Sequence, residues 1–150
     1  MSTTTINETT VQVYQVFIKA TPERIWEAIT RPEFTERYFH RGRIEAGPDR
    51  VVSRGPDGEL RRDDEVYEYD PPRRLVHAWL PLYDAELAEE PPSRVTWEIE
   101  PQDDGVTKLT VVHDRLESSP KTAASVEGDG WMFVMSGLKT LLETGEPLSG

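Results

Sequence analysis

The sequence predicts an α+β domain in which a curved antiparallel sheet of about seven strands is covered by one long C-terminal helix. Short segments rich in β-branched and aromatic residues recur from residue 11 onward and are separated by turn residues. One early interruption, at residues 21–39, carries helix-start signals instead. The last apolar segment has the 3.6-residue period of a helix.

The first predicted strand, VQVYQVFIKA at residues 11–20, is followed by two short helices. Thr21 is a candidate N-cap, and Pro22 suits the first helical position. Pro32 interrupts this helix and begins the second one, because proline cannot continue the backbone hydrogen bonds. The second helix brings three aromatic candidates for burial, which are Phe34, Tyr38 and Phe39.

A meander of about six strands follows. Its segments are RIEAG, DRVVSR, ELRRDDEVYEYDPP, RRLVHAWL, SRVTWEIEP and GVTKLTVVHD. The intervening GPDG and QDDG sequences are typical of turns between paired strands. Two arginine pairs, at 61–62 and 73–74, lie beside carboxylates, and we interpret them as solvated strand ends.

Residues 128–147, GDGWMFVMSGLKTLLETGEP, predict the long helix. Asp129 is its candidate N-cap, while Gly145 and Pro147 supply the stop. Its apolar residues share one face and are Trp131, Val134, Met135, Leu138, Leu141 and Leu142. This helix is the one long element able to cover the sheet. A straight helix on a curved sheet fits imperfectly, so a cavity between them is expected.

Composition limits the function classes. The chain has 150 residues, no cysteine and a formal charge of -11, which disfavours thiol chemistry and nucleic-acid or anionic-membrane partners. No membrane span or signal peptide is evident, so we expect a soluble, cytoplasmic protein. We expect residues 1–8 to be a disordered tail and residues 9–147 a single domain. No GxSxG, GxGxxG or Walker sequence occurs, and no cofactor is expected.

Five segments in order resemble the activator of heat-shock-protein-90 ATPase homologue branch of the START and birch-pollen-allergen superfamily, over roughly residues 9–147. They are KATPERIWEAITRPEFTERYF, YDPPRRLVHAW, PPSRVTWEIEP, TVVHD and GWMFVMSGLKTLLETGEP. The resemblance implies the helix-grip fold, with seven antiparallel strands around the C-terminal helix and an internal cavity for an apolar small molecule. Members of the superfamily range from lipid carriers to polyketide cyclases and co-chaperone domains.

Strand alternation predicts which side chains face the cavity, since every second residue shares a face. With the helix residues, the expected ligand-binding set is Phe34, Tyr38, Phe39, His77, Trp79, Val95, Trp97, Leu109, Val111, His113, Trp131, Met135 and Leu138. Of the four tryptophans, Trp79 and Trp97 are the best cavity candidates, and Trp26 is expected to pack a helix on the sheet.

His77 and His113 have two interpretations. Imidazoles in an apolar pocket can act as general acid and base, as a cyclase or dehydratase acting on a polyketide-like substrate would need. The favoured interpretation is structural, with each ring hydrogen-bonded inside the sheet. Since His40 is distant in sequence from both and no metal-ligand spacing occurs, no metal site is expected.

The leading hypothesis is a carrier or sensor of a small hydrophobic or aromatic molecule. The alternatives are the histidine-based enzyme and a co-chaperone-like interaction module with a chaperone partner. A lipid ligand, a role in stress response and a weak homodimer also stay open. The acidic segment at 81–92 is interpreted as a solvated turn with room for one helical turn at DAELAEE, or alternatively as a lid or partner-binding loop.

Overall fold

The computed structural model describes residues 10–127 and 129–148, except for the side chain of Asp129. Its strands are β1 Gln12–Ile18, β2 Arg43–Ala46, β3 Arg50–Arg54, β4 Leu60–Asp70, β5 Arg74–Trp79, β6 Ser93–Pro101 and β7 Thr107–Asp114. Its helices are α1 Pro22–Thr30, α2 Pro32–Thr35, α3 Ala85–Ala88, α4 Pro120–Val126 and α5 Asp129–Thr144. The predicted tail, residues 1–8, lies outside this description.

All seven strands form one antiparallel sheet in the order β1-β7-β6-β5-β4-β3-β2. Strands β2 to β7 pair in succession, and β1 joins the far edge by pairing with β7, where Val16 lies opposite Leu109. The two short helices α1 and α2 connect the two edges of the sheet, because they follow β1 and precede β2. The predicted α+β helix-grip class is confirmed.

Helix α1 begins where its sequence signals indicate. The Thr21 side chain accepts a hydrogen bond from the Arg24 backbone N–H at 3.2 Å, with Pro22 as the first helical residue. The buried face of the helix includes Trp26, whose ring meets the edge of Tyr69 on β4 at 5.3 Å. Trp26 therefore packs helix against sheet, as predicted.

Helix α5 buries the predicted stripe against the sheet. Trp131, Val134, Met135, Leu138 and Leu141 are buried, and Leu142 is partly buried against the same core. Gly145 ends the helix with a φ of 81°, and its N–H donates to the Leu141 carbonyl at 2.8 Å. The N-cap role expected of Asp129 depends on a side chain outside the described part.

Gly137 on α5 allows the helix to approach the segment after α2. A Cβ added to this glycine would lie 3.2 Å from the Cβ of Tyr38, a closer contact than most side chains tolerate. The absence of a side chain therefore fixes how closely α5 approaches the Tyr38 and Phe39 segment.

The inward sets predicted by alternation are buried on β5, β6 and β7. They are Leu75, His77 and Trp79, then Val95, Trp97 and Ile99, then Leu109, Val111 and His113. Apolar burial of this size supplies most of the stabilisation of the sheet against α5. None of the helices that the structure describes is long and apolar enough to cross a membrane.

Two short helices lie between the strands and α5. The acidic segment contains α3, capped by Asp84, whose carboxylate accepts from the Glu86 and Leu87 backbone N–H groups. This matches the helical turn expected at DAELAEE. Helix α4 was not predicted. Its sequence PKTAASV has few large apolar residues, so it lacks a strong helical period.

Candidate functional site

A cavity of about 430 Å³ lies between the sheet and helices α4 and α5, close to the loop that follows α2. Its size falls within the range of about 300–1,000 Å³ that is usual for small-molecule sites. The wall consists of Phe39, His40, Ser53, Glu59, Arg61, Arg62, Trp79, Tyr83, Ser125, Val126, Gly130, Trp131 and Val134.

The wall divides into a buried floor and an exposed mouth. Arg62, Trp79, Trp131 and Val134 are all buried, and they form the floor. His40, Glu59 and Tyr83 are exposed and mark the mouth. A molecule entering past Tyr83 would therefore leave water for an aromatic environment with one buried cation.

The floor is built around the indole of Trp79. The Trp131 ring lies 5.5 Å away between centroids, and the Phe39 ring lies 6.4 Å away. On its face, the guanidinium carbon of Arg62 lies 3.8 Å from the ring centroid, which is cation-π geometry. Among the described residues, the Trp79 Nε1 is the one enclosed side-chain polar atom without a hydrogen-bond partner.

A bulge in β4 places both Arg61 and Arg62 in the wall. Ser53 lies opposite Arg62 while Arg54 lies opposite Leu60, so Arg61 is the extra residue of a bulge. Consecutive residues of a regular strand point to opposite faces, and a bulge breaks this rule. The interpretation of this pair as a solvated strand end is wrong for Arg62, which is only 4% exposed.

Arg62 forms a buried ion pair with Asp64, the next inward residue of β4. Its Nη1 donates to Asp64 Oδ2 at 2.5 Å, and Asp64 Oδ1 accepts from the Leu80 backbone N–H at 3.1 Å. Burial lowers the pKa of Arg62 and raises the pKa of Asp64, and the attraction between the two charges opposes both shifts. The pair thus keeps a cation beneath an aromatic cavity.

His113 lies behind the floor in a continuous hydrogen-bond chain. Trp131 Nε1 donates to His113 Nδ1 at 3.1 Å, so the ring proton belongs on Nε2. That nitrogen lies 2.7 Å from the Ser93 hydroxyl, which in turn donates to the Trp79 carbonyl at 3.3 Å. Burial, and then the positive charge of Arg62, lower the pKa of His113 to about 3.

His77 has the opposite tautomer. Trp97 Nε1 donates to His77 Nε2 at 3.1 Å, which leaves the proton on Nδ1, where it faces the Ala78 carbonyl at 2.7 Å. Burial, followed by the charge of Arg62, lowers the pKa of His77 to about 3. Both histidines are therefore neutral near pH 7, with both ring nitrogens engaged in each.

Three of the expected ligand-binding residues line the cavity, namely Phe39, Trp79 and Trp131. Six lie in the core between α5 and the sheet and do not line the cavity: Val95, Leu109, Val111, His113, Met135 and Leu138. Tyr38, His77 and Trp97 border a separate void of only about 10 Å³, enough for about one water molecule. Phe34 is half-buried beside Arg24, whose guanidinium carbon lies 5.1 Å from its ring centroid.

Sequence reasoning missed the charged and the α4-derived parts of the wall. In β4 the run RRDDE is charged at every position, so it has no visible alternation between an inner and an outer face. The available signal was the spacing of Arg62, Asp64 and Val66, which places opposite charges and an apolar residue on one face. In α4, Ser119 followed by Pro120 was a helix-start signal.

The acidic segment at 81–92 contributes to the cavity wall and contacts α4, and it also faces solvent. Tyr83 lies in the wall, and the carboxylate of Glu90 accepts from the backbone N–H groups of Lys121 and Thr122 at 2.9 and 2.8 Å. Lys121 Nζ also donates to Glu86 at 2.9 Å. The segment therefore holds the start of α4, which contributes Ser125 and Val126 to the wall.

Within the described ranges, no group of three histidine or acidic side chains is arranged to hold a metal ion. The polar groups available to a bound molecule in the wall are instead cationic, carboxylate and hydroxyl groups. They belong to Arg61, Arg62, Glu59, Ser53, Ser125, Tyr83 and His40.

Solved structures with the same fold include protein MLL2253 from Mesorhizobium loti. It is 23% identical with a TM-score of 0.70, over 89% of this chain and 96% of that one. DynU16, described as a putative protein in the dynemicin biosynthetic locus, is 26% identical with a TM-score of 0.73, over 92% of this chain and 49% of its own. The Aha1 dimer from Colwellia psychrerythraea is 18% identical with a TM-score of 0.68, over 90% and 97%.

No match is found among curated proteins. The model of one family, described as "Activator of Hsp90 ATPase homolog 1-like protein", matches residues 19–143, which is most of the chain and includes every strand from β2 to β7. The fold, the cavity beneath α5 and this match agree with the resemblance seen in the sequence, and the chain belongs to the family of Activator of Hsp90 ATPase homolog 1-like proteins.

Proposed function

We propose that this protein binds a small hydrophobic or aromatic molecule in the cavity between α5 and the sheet, as a carrier or sensor. The observation that carries the proposal is the cavity of about 430 Å³ whose wall includes the rings of Trp79, Trp131 and Phe39. Ring-to-ring contacts contribute about 0.5–1.5 kcal/mol each beyond the burial of apolar area. Such a wall favours a flat, apolar guest over a polar one.

The polyketide-like enzyme alternative is weakened by the geometry of the histidines. Neither His77 nor His113 lines the cavity, and each ring nitrogen already has a partner. A general base must reach the proton that it removes, directly or through one water molecule. A substrate in the cavity would meet the indoles of Trp79 and Trp131 and neither imidazole, so binding without chemistry is the simpler function.

One relative supports a small-molecule ligand. DynU16, which is 26% identical, is described as a putative protein in the dynemicin biosynthetic locus. The chaperone partner, the homodimer, the lipid ligand, the stress response and the cytoplasmic location stay predictions from the sequence. The Colwellia protein is a dimer, but at 18% identity its likeness shows the fold alone.

The first experiment is a titration of the purified protein with the neutral fluorescent probe N-phenyl-1-naphthylamine, read through tryptophan quenching, beside native mass spectrometry of the fresh protein. We expect saturable quenching, because Trp79 and Trp131 form the floor. A clean protein mass together with no saturable quenching would contradict the proposal.

A matched pair of variants locates the site. Val134→Phe adds bulk to a wall residue that is 3% exposed, whereas Met132→Phe changes a residue of the same helix that is 48% exposed. We expect Val134→Phe to weaken probe binding by about tenfold or more, a loss of about 1.4 kcal/mol. Met132→Phe should leave the affinity unchanged. Equal affinities in the two variants would place the probe elsewhere.

A further inference from the structure

Arginines 61 and 62 make the cavity more specific than an apolar pocket. They are adjacent in sequence and both lie in its wall because of the β4 bulge. The chain as a whole carries a formal charge of -11, whereas the wall of this concave site has two adjacent cations. The N–H groups of these two arginines that have no partner in the protein determine which ligand the site suits.

Arg62 keeps donors that the protein does not use. A guanidinium has five N–H groups, and within residues 10–127 and 129–148 its one hydrogen bond is from Nη1 to Asp64. The two oxygens of Asp64 are occupied by that nitrogen and by the Leu80 N–H. Asp64 therefore balances the charge of Arg62 without using the donors on Nε and Nη2.

These unused donors face accessible space. In the described part of the chain, the only fully enclosed polar side-chain atom without a partner is Nε1 of Trp79. The unpartnered nitrogens of Arg62 are therefore not fully enclosed. Arg62 is 4% exposed overall and lines both the cavity and the neighbouring void of about 10 Å³, so the one space within its reach that is large enough for a ligand is the cavity.

Arg61 adds a second set of donors nearer the mouth. Its Nη1 donates to the His40 carbonyl at 2.9 Å, which fixes the end of the side chain. Its Nε lies 3.9 Å from a carboxylate oxygen of Glu59, which is too long for a hydrogen bond. The Glu59 side chain is 51% exposed, so it competes only weakly with a bound ligand for the Arg61 guanidinium.

We infer that the molecule held in the cavity is an aromatic carboxylate, with its rings against Trp79 and Trp131 and its carboxylate toward Arg62 and Arg61. This inference rests on the proposed binding function. The rigid N–H fork of a guanidinium matches the two oxygens of a carboxylate, and hydrogen bonds to charged groups are stronger than neutral ones. The Arg62 guanidinium stacks on the Trp79 ring, with its carbon 3.8 Å from the ring centroid, and this contact holds the N–H fork beside the aromatic part of the wall.

The test compares 2-naphthoate with 2-naphthamide, which has the same rings and a neutral planar acceptor. Dissociation constants are measured by tryptophan quenching and by calorimetry at pH 7. We expect the carboxylate to bind about tenfold more tightly or better, in line with charge-assisted hydrogen bonds. Equal or weaker binding of the carboxylate would overturn the inference and leave the binding function intact. No binding of either compound would count against both.

Variants separate recognition from folding. Arg62→Met alone would leave Asp64 buried without its cation, so Arg62→Met is combined with Asp64→Asn, whose amide oxygen can still accept from Leu80. The double variant should lose the preference for the carboxylate, measured as the ratio of the two dissociation constants within the same variant. Asp64→Asn alone is the matched control and should keep that preference. A double variant that still prefers the carboxylate tenfold would refute the role of Arg62.

Discussion

His77 and His113 illustrate how single polar residues are accommodated in this core. Each accepts from a tryptophan N–H through one nitrogen and places its proton on the other, toward the Ala78 carbonyl for His77 and the Ser93 hydroxyl for His113. Such satisfied networks avoid the penalty of a buried unpaired polar group. The two rings therefore orient the indoles of Trp97 and Trp131 on the inner face.

These histidines should make stability depend on pH. In the folded protein their pKa values are lowered to about 3, whereas an unfolded chain titrates near the ordinary value of 6.5. Between these values the unfolded state binds more protons, so the free energy of unfolding falls as the pH falls below about 6.5. From pH 6.5 to pH 5 the expected loss is roughly 1–2 kcal/mol per histidine.

The measurement is urea unfolding between pH 5 and pH 7.5 for the native sequence and for His77→Gln and His113→Gln. Glutamine offers one donor and one acceptor but does not titrate in this range. Each variant should show a shallower decline between pH 6.5 and pH 5, whatever its stability at pH 7. Parallel curves for all three proteins would show that the histidines bind protons as readily in the folded state as in the unfolded one.

Residue-level prediction from the sequence succeeded where polar and apolar residues alternate. On β5, β6 and β7 the contrast between neighbours indicated the buried set, including both histidines. On β4 it failed for Arg62, because a run of charges has no such contrast and because the bulge at Arg61 shifts the alternation. Both arginines of the cavity wall lie on this one strand.

At the scale of elements, α3 and α4 act together on the cavity. Ser119, at the N-cap position of α4, makes no side-chain cap, and Glu90 from the preceding segment takes that role with both carboxylate oxygens. One of these oxygens also accepts from the Thr122 hydroxyl at 2.8 Å. A carboxylate at a helix start is favoured by the backbone N–H groups and the helix dipole.

Replacing Glu90 with glutamine should loosen this contact. We expect Glu90→Gln to lower the free energy of unfolding by about 1 kcal/mol, as for other lost caps, and to speed amide hydrogen exchange in α4. Glu89→Gln is the control, because Glu89 is exposed and takes no part in the cap. Similar losses in both variants would mean that general charge, and not capping, is responsible.

The pH dependence gives a second check on the same contact. Burial alone raises the pKa of Glu90, but the hydrogen bonds from Lys121 and Thr122 outweigh it, so the pKa is lowered overall. A lowered folded pKa contributes stability above the unfolded value of about 4.3, and this contribution is lost as the pH falls through the folded pKa. The difference in free energy of unfolding between the native protein and Glu90→Gln should therefore become smaller at acidic pH.

For the whole molecule, the order and type of the main elements were predictable because each has a strong period and clear turn residues. The long helix, with its stripe from Trp131 to Leu142, and the hairpin sequences GPDG and QDDG determine most of the architecture. The cavity between α5 and the sheet was expected, but most of the residues that line it were not. Their position depends on the contact of Gly137 with Tyr38, the β4 bulge and the placement of α4, which are tertiary features without a local signal.

The charge of the whole molecule leads to the last prediction. The chain carries 28 acidic against 17 basic residues, and most of its ion pairs, such as Arg24 with Glu27 and Arg50 with Asp63, are exposed. Exposed pairs contribute about 0–1 kcal/mol each, whereas the net charge of -11 opposes the compact state at low salt. Raising NaCl from 10 to 100 mM shortens the Debye length from about 30 to about 10 Å.

Screening should therefore stabilise the protein, and we expect the melting temperature to rise by a few degrees over this range of salt. The control is the double variant Glu45→Lys and Glu117→Lys, which alters two exposed residues and moves the formal charge from -11 to -7, two units per substitution. Its melting temperature should respond less to salt, because less repulsion remains to be screened. A melting temperature that falls with added salt in the native protein would show that its surface ion pairs outweigh the repulsion.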